Sequence, residues 1–166
     1  MNKNQDLPWD KPRFRNWIAV ARACHLMGQT LTRELQPLDI KTPHLDILIN
    51  LYKTPGISQQ DLANKLLVGR SNLSMLLPQM ETRGLISRRG DPQDKRILRL
   101  ELTPEGKTLT EEAIRIQFAL IDRTMSVSTT EECDLIGNVM TRLVHELTAS
   151  GDFGLASDAK TDQDGA

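Results

Sequence analysis

Arg70, Ser71, Asn72, Ser74 and Met75 fall within one six-residue stretch and together offer the chemistry of a base-reading surface. A guanidinium can pair with guanine O6 and N7, an amide with adenine, and a hydroxyl or thioether with a polar edge or a thymine methyl. Further on, Asp94-Lys95-Arg96 sets two cations beside a carboxylate in a cluster of turn residues. A cation placed there could enter a minor groove, with the carboxylate steering the guanidinium. Each group also has a plainer reading. Ser71 or Asn72 can cap a helix while Met75 packs, and a basic turn can simply be solvated.

Such side chains need elements that aim them, and the flanking residues supply the pattern. Ser58 and Asp61 have the S-x-x-D spacing of a capping box, which predicts a helix starting at Gln59. Leu62, Ala63 and Leu66 give that helix one apolar face before Val68-Gly69 breaks the pattern. A second helix carries Leu73, Leu76, Leu77 and Met80 at i, i+3, i+4 and i+7, and ends at Arg83-Gly84-Leu85. The candidate base-reading residues lie in its first turns, where base edges are usually met. Pro78 removes the hydrogen bond to the Ser74 carbonyl and predicts a bend that re-aims those residues. Ile86 to Arg89 then leads through the turn residues Gly90 to Lys95. The chain returns in a strand where Leu98, Leu100 and Leu102 alternate with Arg99 and Glu101. Thr103-Pro104 has the form of an N-cap followed by the first residue of another helix. The pattern is a helix-turn-helix followed by a hairpin wing.

On these residues the sequence resembles the MarR family of dimeric winged-helix regulators. Asp94-Lys95-Arg96 followed by Leu102-Thr103-Pro104-Glu105-Gly106 is similar to that family's D-x-R…LT-x-x-G signature. The segment Met80 to Arg88, M-E-x-R-G-L-I-x-R, resembles its usual exit from the recognition helix. The similarity runs over roughly residues 13 to 148. It implies a mainly α fold with a small β-wing: a winged helix at about 43–103, with N- and C-terminal dimerisation helices at about 13–36 and 104–148. Residues 1–12 and the acidic segment 149–166 read as flexible ends. The implied partners are double-stranded DNA, in the form of a pseudo-palindromic operator, and a second copy of the chain. The implied activity is repression released by a small-molecule effector.

Composition fits a small globular regulator. The 166 residues can bury one real core, and 39% are hydrophobic, yet no apolar run is long enough to span a bilayer. No basic segment precedes an apolar one at the N-terminus, so no signal peptide is expected and the cytoplasm is the natural compartment. The net charge of −1 hides a sorting of charge. Between Lys53 and Arg99 there are nine Lys/Arg against four Asp/Glu, a local +5 that leaves −6 for the rest. Cations therefore gather on the candidate reading head, as a nucleic-acid partner requires.

The flanks predict further helices. Phe14, Trp17, Ile18, Ala21, Cys24, His25, Gly28, Leu31 and Leu35 form one long stripe. Leu45, Leu48, Ile49 and Tyr52 share a face after Thr42-Pro43. Past the wing, Leu109, Ala113, Ile116 and Leu120 run beside Ile114, Phe118, Ile121 and Met125, and two stripes on one helix imply burial on two sides. A capping box at Ser128 to Glu131 opens a last helix bearing Leu135, Ile136, Val139, Met140, Leu143, Val144 and Leu147. Packing within one chain can absorb these stripes; the resemblance instead implies interlocked terminal helices from two subunits.

For an effector, Arg15, Arg22 and His25 lie on one flank of the first helix. With Trp17, and with His44 at the next helix start, they could receive an aromatic carboxylate. A solvated helix flank is the plainer alternative. A thiol sensor would need a stabilised thiolate. Cys24 sits on the apolar stripe, and Glu131 and Glu132 beside Cys133 oppose thiolate formation, so both read as packing residues. A winged helix that binds only proteins remains the other reading of the domain. An enzyme is not indicated: His25, His44 and His145 fall on separate segments with no nucleophile, carboxylate pair or metal-ligand spacing, and no cofactor or metal is expected.

Overall fold

The computed structural model describes residues 7–66 and 70–149, with the backbone alone for Arg70 and Ser71. The Val68-Gly69 break, residues 1–6 and residues 150–166, which hold nearly all of the expected acidic tail, lie outside the described residues. The chain divides into two compact units, Met1–Thr42 and Pro43–Ala166.

The first unit is built on α1 (Pro12–Glu34), which opens with a proline whose missing N–H is one the first turn leaves unpaired anyway. Trp9 packs edge-on against Phe14 with ring centroids 5.3 Å apart. A 3-10 turn at Gln36–Leu38 follows, and Asp39 closes it with φ of 51°, in the left-handed region that aspartate tolerates. The long stripe is buried only at its C-terminal end, at Leu31 and Leu35. Trp17 is exposed, and so is Cys24, so the packing expected of this cysteine is not made within the single chain.

The second unit holds α2 (Thr42–Lys53), α3 (Gln59–Leu66), α4 (Arg70–Thr82), α5 (Pro104–Met125) and α6 (Thr130–Ala149). Its sheet comprises β1 (Ile57–Ser58), β2 (Ile86–Gly90) and β3 (Leu98–Leu102), all antiparallel in the order β1-β3-β2. The mainly helical fold with a small β-wing is as expected, but the sheet has a third strand. β1 is two residues long, too short to show any alternation in sequence, and it exists only because Ile57 and Ser58 pair with Leu100 and Arg99. The predicted face of α2 is also corrected. Leu45 and Leu48 are buried, but with His44, Ile47 and Leu51 rather than with Ile49 and Tyr52. The Tyr52 ring stays outside the core, where its hydroxyl donates to Glu111 Oε1 at 2.9 Å on α5 and the Lys107 ammonium lies 5.8 Å from its centre.

Local chemistry sets the helix ends. At α3, the Ser58 hydroxyl accepts from the Asp61 backbone N–H at 3.0 Å and donates to the Asp61 carboxylate at 2.6 Å. At the end of α4, Gly84 takes φ of 70° while its N–H reaches the Glu81 carbonyl and the Leu85 N–H reaches that of Met80. This is a Schellman ending, and buried Leu85 supplies its usual apolar contact. At α6, the capping box is one residue later than expected. Thr129 N–H donates to Glu132 Oε2 and Glu132 N–H to Thr129 Oγ1, because Thr129 and not Ser128 is the residue that precedes the helix.

The start of α5 explains the Leu102 to Gly106 motif. Thr103 Oγ1 accepts from Gly106 N–H at 2.9 Å and donates to the Gly84 carbonyl, while Thr103 N–H donates to the Leu85 carbonyl at 3.1 Å. Gly106 is buried against that carbonyl, so close that a Cβ built on it would lie 1.8 Å from Leu85 O. The motif welds the first turn of α5 to the exit of α4. Further along α5, Ala113 and Leu120 are buried and Leu109 and Ile116 half-buried, whereas Phe118 and Ile121 on the second stripe are exposed. No residue of α6 is buried.

Candidate nucleic-acid interface

The core decides which face of α4 is available. Leu73, Leu77 and Met80 are fully buried and Leu76 half-buried, so the helix is anchored along the predicted stripe. The helix runs on through Pro78 to Thr82. Asn72, Ser74 and Met75 are exposed, and Met75 is 66% accessible, which excludes packing as its role within the chain. The side chains of Arg70 and Ser71, the other two predicted reading residues, lie outside the described residues.

The wing continues the same surface. β2 and β3 pair from Ile86–Leu102 to Gly90–Leu98 and carry Asp94, Lys95 and Arg96 in the turn between them. Leu100 is fully buried and Leu102 half-buried, whereas Leu98 at the turn end is exposed. Leu73 of α4, Gln59 of α3 and Arg96, Ile97 and Leu98 of the wing line one cleft of about 230 Å³. Leu73 of α4 and the wing cation Arg96 are thus neighbours on one side of the unit.

The Arg96 guanidinium is held in a fork. Its Nε and Nη2 each donate to the Asp94 carboxylate at 3.0 Å, and its backbone N–H donates to the same group at 3.0 Å. These bonds hold the Asp94 carboxyl below the usual carboxylate range and push Arg96 above its ordinary value. The Arg96 side chain is nonetheless 91% exposed. Asp94 therefore fixes the orientation of the Arg96 guanidinium.

Sequence reasoning missed how the remaining wing charges sort. Arg88 Nε donates to Glu81 Oε2 at 2.7 Å, tying the wing to α4, and this bond lowers the Glu81 carboxyl. Arg99 Nε donates to Asp91 Oδ2 at 2.7 Å and lowers Asp91 likewise. All three carboxyls stay charged at neutral pH. Arg89, opposite Arg99 in the β2–β3 register, and Lys95 are exposed and carry no ion pair among the described residues. The available signal for Arg89 was strand alternation, which sends Arg88 and Arg89 to opposite faces.

The side chains offered for an effector are placed unevenly. Arg15, Trp17, Arg22 and His25 are exposed on α1, and His44 is buried on α2. Cys133 is half-buried on α6. Among the described residues, no three or more His, Cys, Asp or Glu side chains gather as a metal site would need. Among the described residues, no helix is long and apolar enough to cross a membrane.

Comparison with known proteins agrees with this geometry. The model of the MarR family matches residues 40–98, from just before α2 to the first residue of β3. An uncharacterized HTH-type transcriptional regulator of Bacillus subtilis (strain 168), YdgJ, is 30% identical over 104 residues, covering 63% of this chain and 63% of the relative. The chain therefore spans less than two thirds of that protein's length. Among solved structures, the S. aureus MepR–DNA complex is 27% identical with a TM-score of 0.73, covering 78% of this chain and 96% of that one. AbsC, a MarR family transcriptional regulator from Streptomyces coelicolor, shares the fold with a TM-score of 0.76 at 23% identity, covering 81% of this chain and 93% of that one. Over its winged-helix segment, residues 40–98, the chain is similar to the MarR family, and it shares the fold of that family's solved structures.

Proposed function

We propose that the chain is a sequence-specific DNA-binding transcriptional regulator that works as a homodimer. The observation that carries this reading is the pairing of an exposed polar face on α4 with an exposed guanidinium on the wing. Asn72, Ser74 and Met75 lie where a helix inserted in the major groove meets base edges, with Arg70 and Ser71 in the same first turns. Asp94, Lys95 and Arg96 form the second contact, at the backbone or minor groove. The MepR relative, solved with DNA, supports the same use of the fold.

A two-fold dimer presents two recognition helices, so the operator is an imperfect palindrome with half-sites about 10 bp apart, centre to centre. The roles of the two contacts separate in binding measurements. Asn72→Ala or Arg70→Ala is expected to cost roughly 1–3 kcal/mol on the operator and little on random duplex, because base edges carry the sequence information. Arg96→Ala is expected to weaken both duplexes together and to reduce the slope of log K against log salt. Titration of labelled duplexes from around the chain's own gene, at several salt concentrations, checks both. Equal losses on operator and random DNA for the Asn72 variant would remove it from base reading. Absence of any salt-sensitive duplex affinity would leave a protein-interaction module instead.

The finer reading is cytoplasmic repression relieved by a small aromatic or carboxylate effector. It draws on the exposed Arg15, Arg22 and His25 of α1 beside exposed Trp17. An effector need only change the spacing of the two reading heads by a few ångströms, since both must enter successive major grooves at once. Its differential affinity for free and DNA-bound dimer sets how far the operator is released.

A further inference from the structure

Arg96 is the most exposed of the paired wing cations, yet the bonds that hold it do not end at Asp94. Asp91, at the start of the wing turn, is only 12% exposed and uses its carboxylate three ways. Oδ1 accepts from the backbone N–H groups of Gln93 at 2.7 Å and Asp94 at 3.2 Å, which sets the backbone of the turn. Oδ2 accepts from Arg99 Nε at 2.7 Å. Arg99 in turn donates from Nη1 to the Gly56 carbonyl at 3.3 Å, and the Gly56 N–H donates to the Leu100 carbonyl at 2.9 Å. Gly56 immediately precedes β1, whose second residue, Ser58, caps α3. An unbroken line of bonds therefore runs from the start of the helix-turn-helix, through Arg99, Asp91 and the Asp94 backbone, to the Asp94 carboxylate and the Arg96 guanidinium.

We propose that Asp91 and Arg99 are positioning residues for DNA binding, acting through Arg96: they hold the wing cation in register with the recognition helix before DNA arrives. This rests on the DNA-binding reading above and adds two residues that need not touch DNA. A free wing turn would have to be ordered on binding, and immobilising one rotamer-rich side chain weakens association by roughly 2- to 10-fold. Arg99 suits the task because a planar fork can serve a carboxylate and a carbonyl at once, which a lysine ammonium at the same place does less well.

The sign of the effect separates positioning from simple electrostatics. Asp91→Asn removes a negative charge from the DNA-facing unit, so Coulomb attraction alone would tighten binding to a polyanion. Positioning instead makes D91N bind operator roughly 2- to 10-fold more weakly. R99K keeps the charge and loses the fork, and is expected to weaken binding over the same range. In the R96A background D91N should change affinity less than twofold, since the group it positions is gone. The measurements are duplex titrations of the full chain for the single and double variants, with hydrogen exchange at the Gln93, Asp94 and Arg96 amides read alongside. Faster exchange at these amides in D91N and R99K, with weaker binding confined to the Arg96-containing background, is the expected result. Equal or tighter binding by D91N and R99K overturns the proposal, even if exchange at the turn quickens. Equal weakening in both backgrounds also overturns it, since the residues then act by some route other than Arg96. A wild-type chain with no duplex affinity refutes the DNA-binding reading itself, and the positioning role falls with it. R99K decides the matter if D91N fails to fold.

Discussion

Gly106→Ala is expected to destabilise the winged helix by about 3 kcal/mol or more, one of the largest effects of any single methyl group in this chain. The built Cβ would lie 1.8 Å from the Leu85 carbonyl oxygen and 2.8 Å from its carbon, so the clash is with backbone rather than with a side chain that can turn away. The same oxygen accepts the Thr103 N–H, and a methyl group forced against it would break that bond as the strands and helices separate. Because Thr103 also reaches the Gly84 carbonyl, the exit of α4 and the start of α5 would loosen together. A thermal midpoint lowered by on the order of 10 °C is the corresponding readout for a chain of this length. A midpoint within a degree or two of the wild type would mean that α5 can shift away from Leu85 freely, contrary to the close packing of Gly106 on the Leu85 carbonyl.

Removal of residues 131–166 is expected to give aggregated or unfolded protein. The described part of α6 carries Leu135, Ile136, Leu143, Val144 and Leu147, all exposed in the single chain, and α5 exposes Phe118 at 67% together with Ile121. Monomeric proteins seldom leave so many large apolar side chains of two helices in water. In the proposed dimer these faces cover one another between subunits, so a deletion that strips α6 uncovers apolar surface on both partners. Deletion of residues 151–166 alone should leave a dimer, as judged by sedimentation or light scattering. A soluble, folded monomer from the longer deletion would sink the architecture proposed for the terminal helices.

Much of the reading head was legible in the sequence because its information is local. The 3.6-residue spacing of Leu73, Leu77 and Met80 is enough to orient α4, and it leaves Asn72, Ser74 and Met75 outside whatever packs beneath. The glycine after Arg83 marks a left-handed ending, and Asp94 lies two residues from the arginine it holds. Such features depend on neighbours within a few residues, so periodicity and turn chemistry suffice to find them.

What sequence could not reveal depends on groups brought together from far apart in the chain. β1 has no pattern of its own and is a strand only because Leu100 and Arg99 lie beside it. The Arg99 link to Gly56 joins residues 43 positions apart, and nothing in either segment names the other. The face of α2 shifted toward Ile47 and Leu51 because burial is decided by what packs around the helix, not by its own spacing. Gly106 was legible as part of a motif, but the reason for it, the closeness of the Leu85 carbonyl, is a tertiary fact. Local sequence thus determined the helices, the two wing strands and the face of α4 left outside the core. Only the tertiary structure decided how the wing cation is held against them, since that depends on long-range bonds whose partners are joined by folding alone.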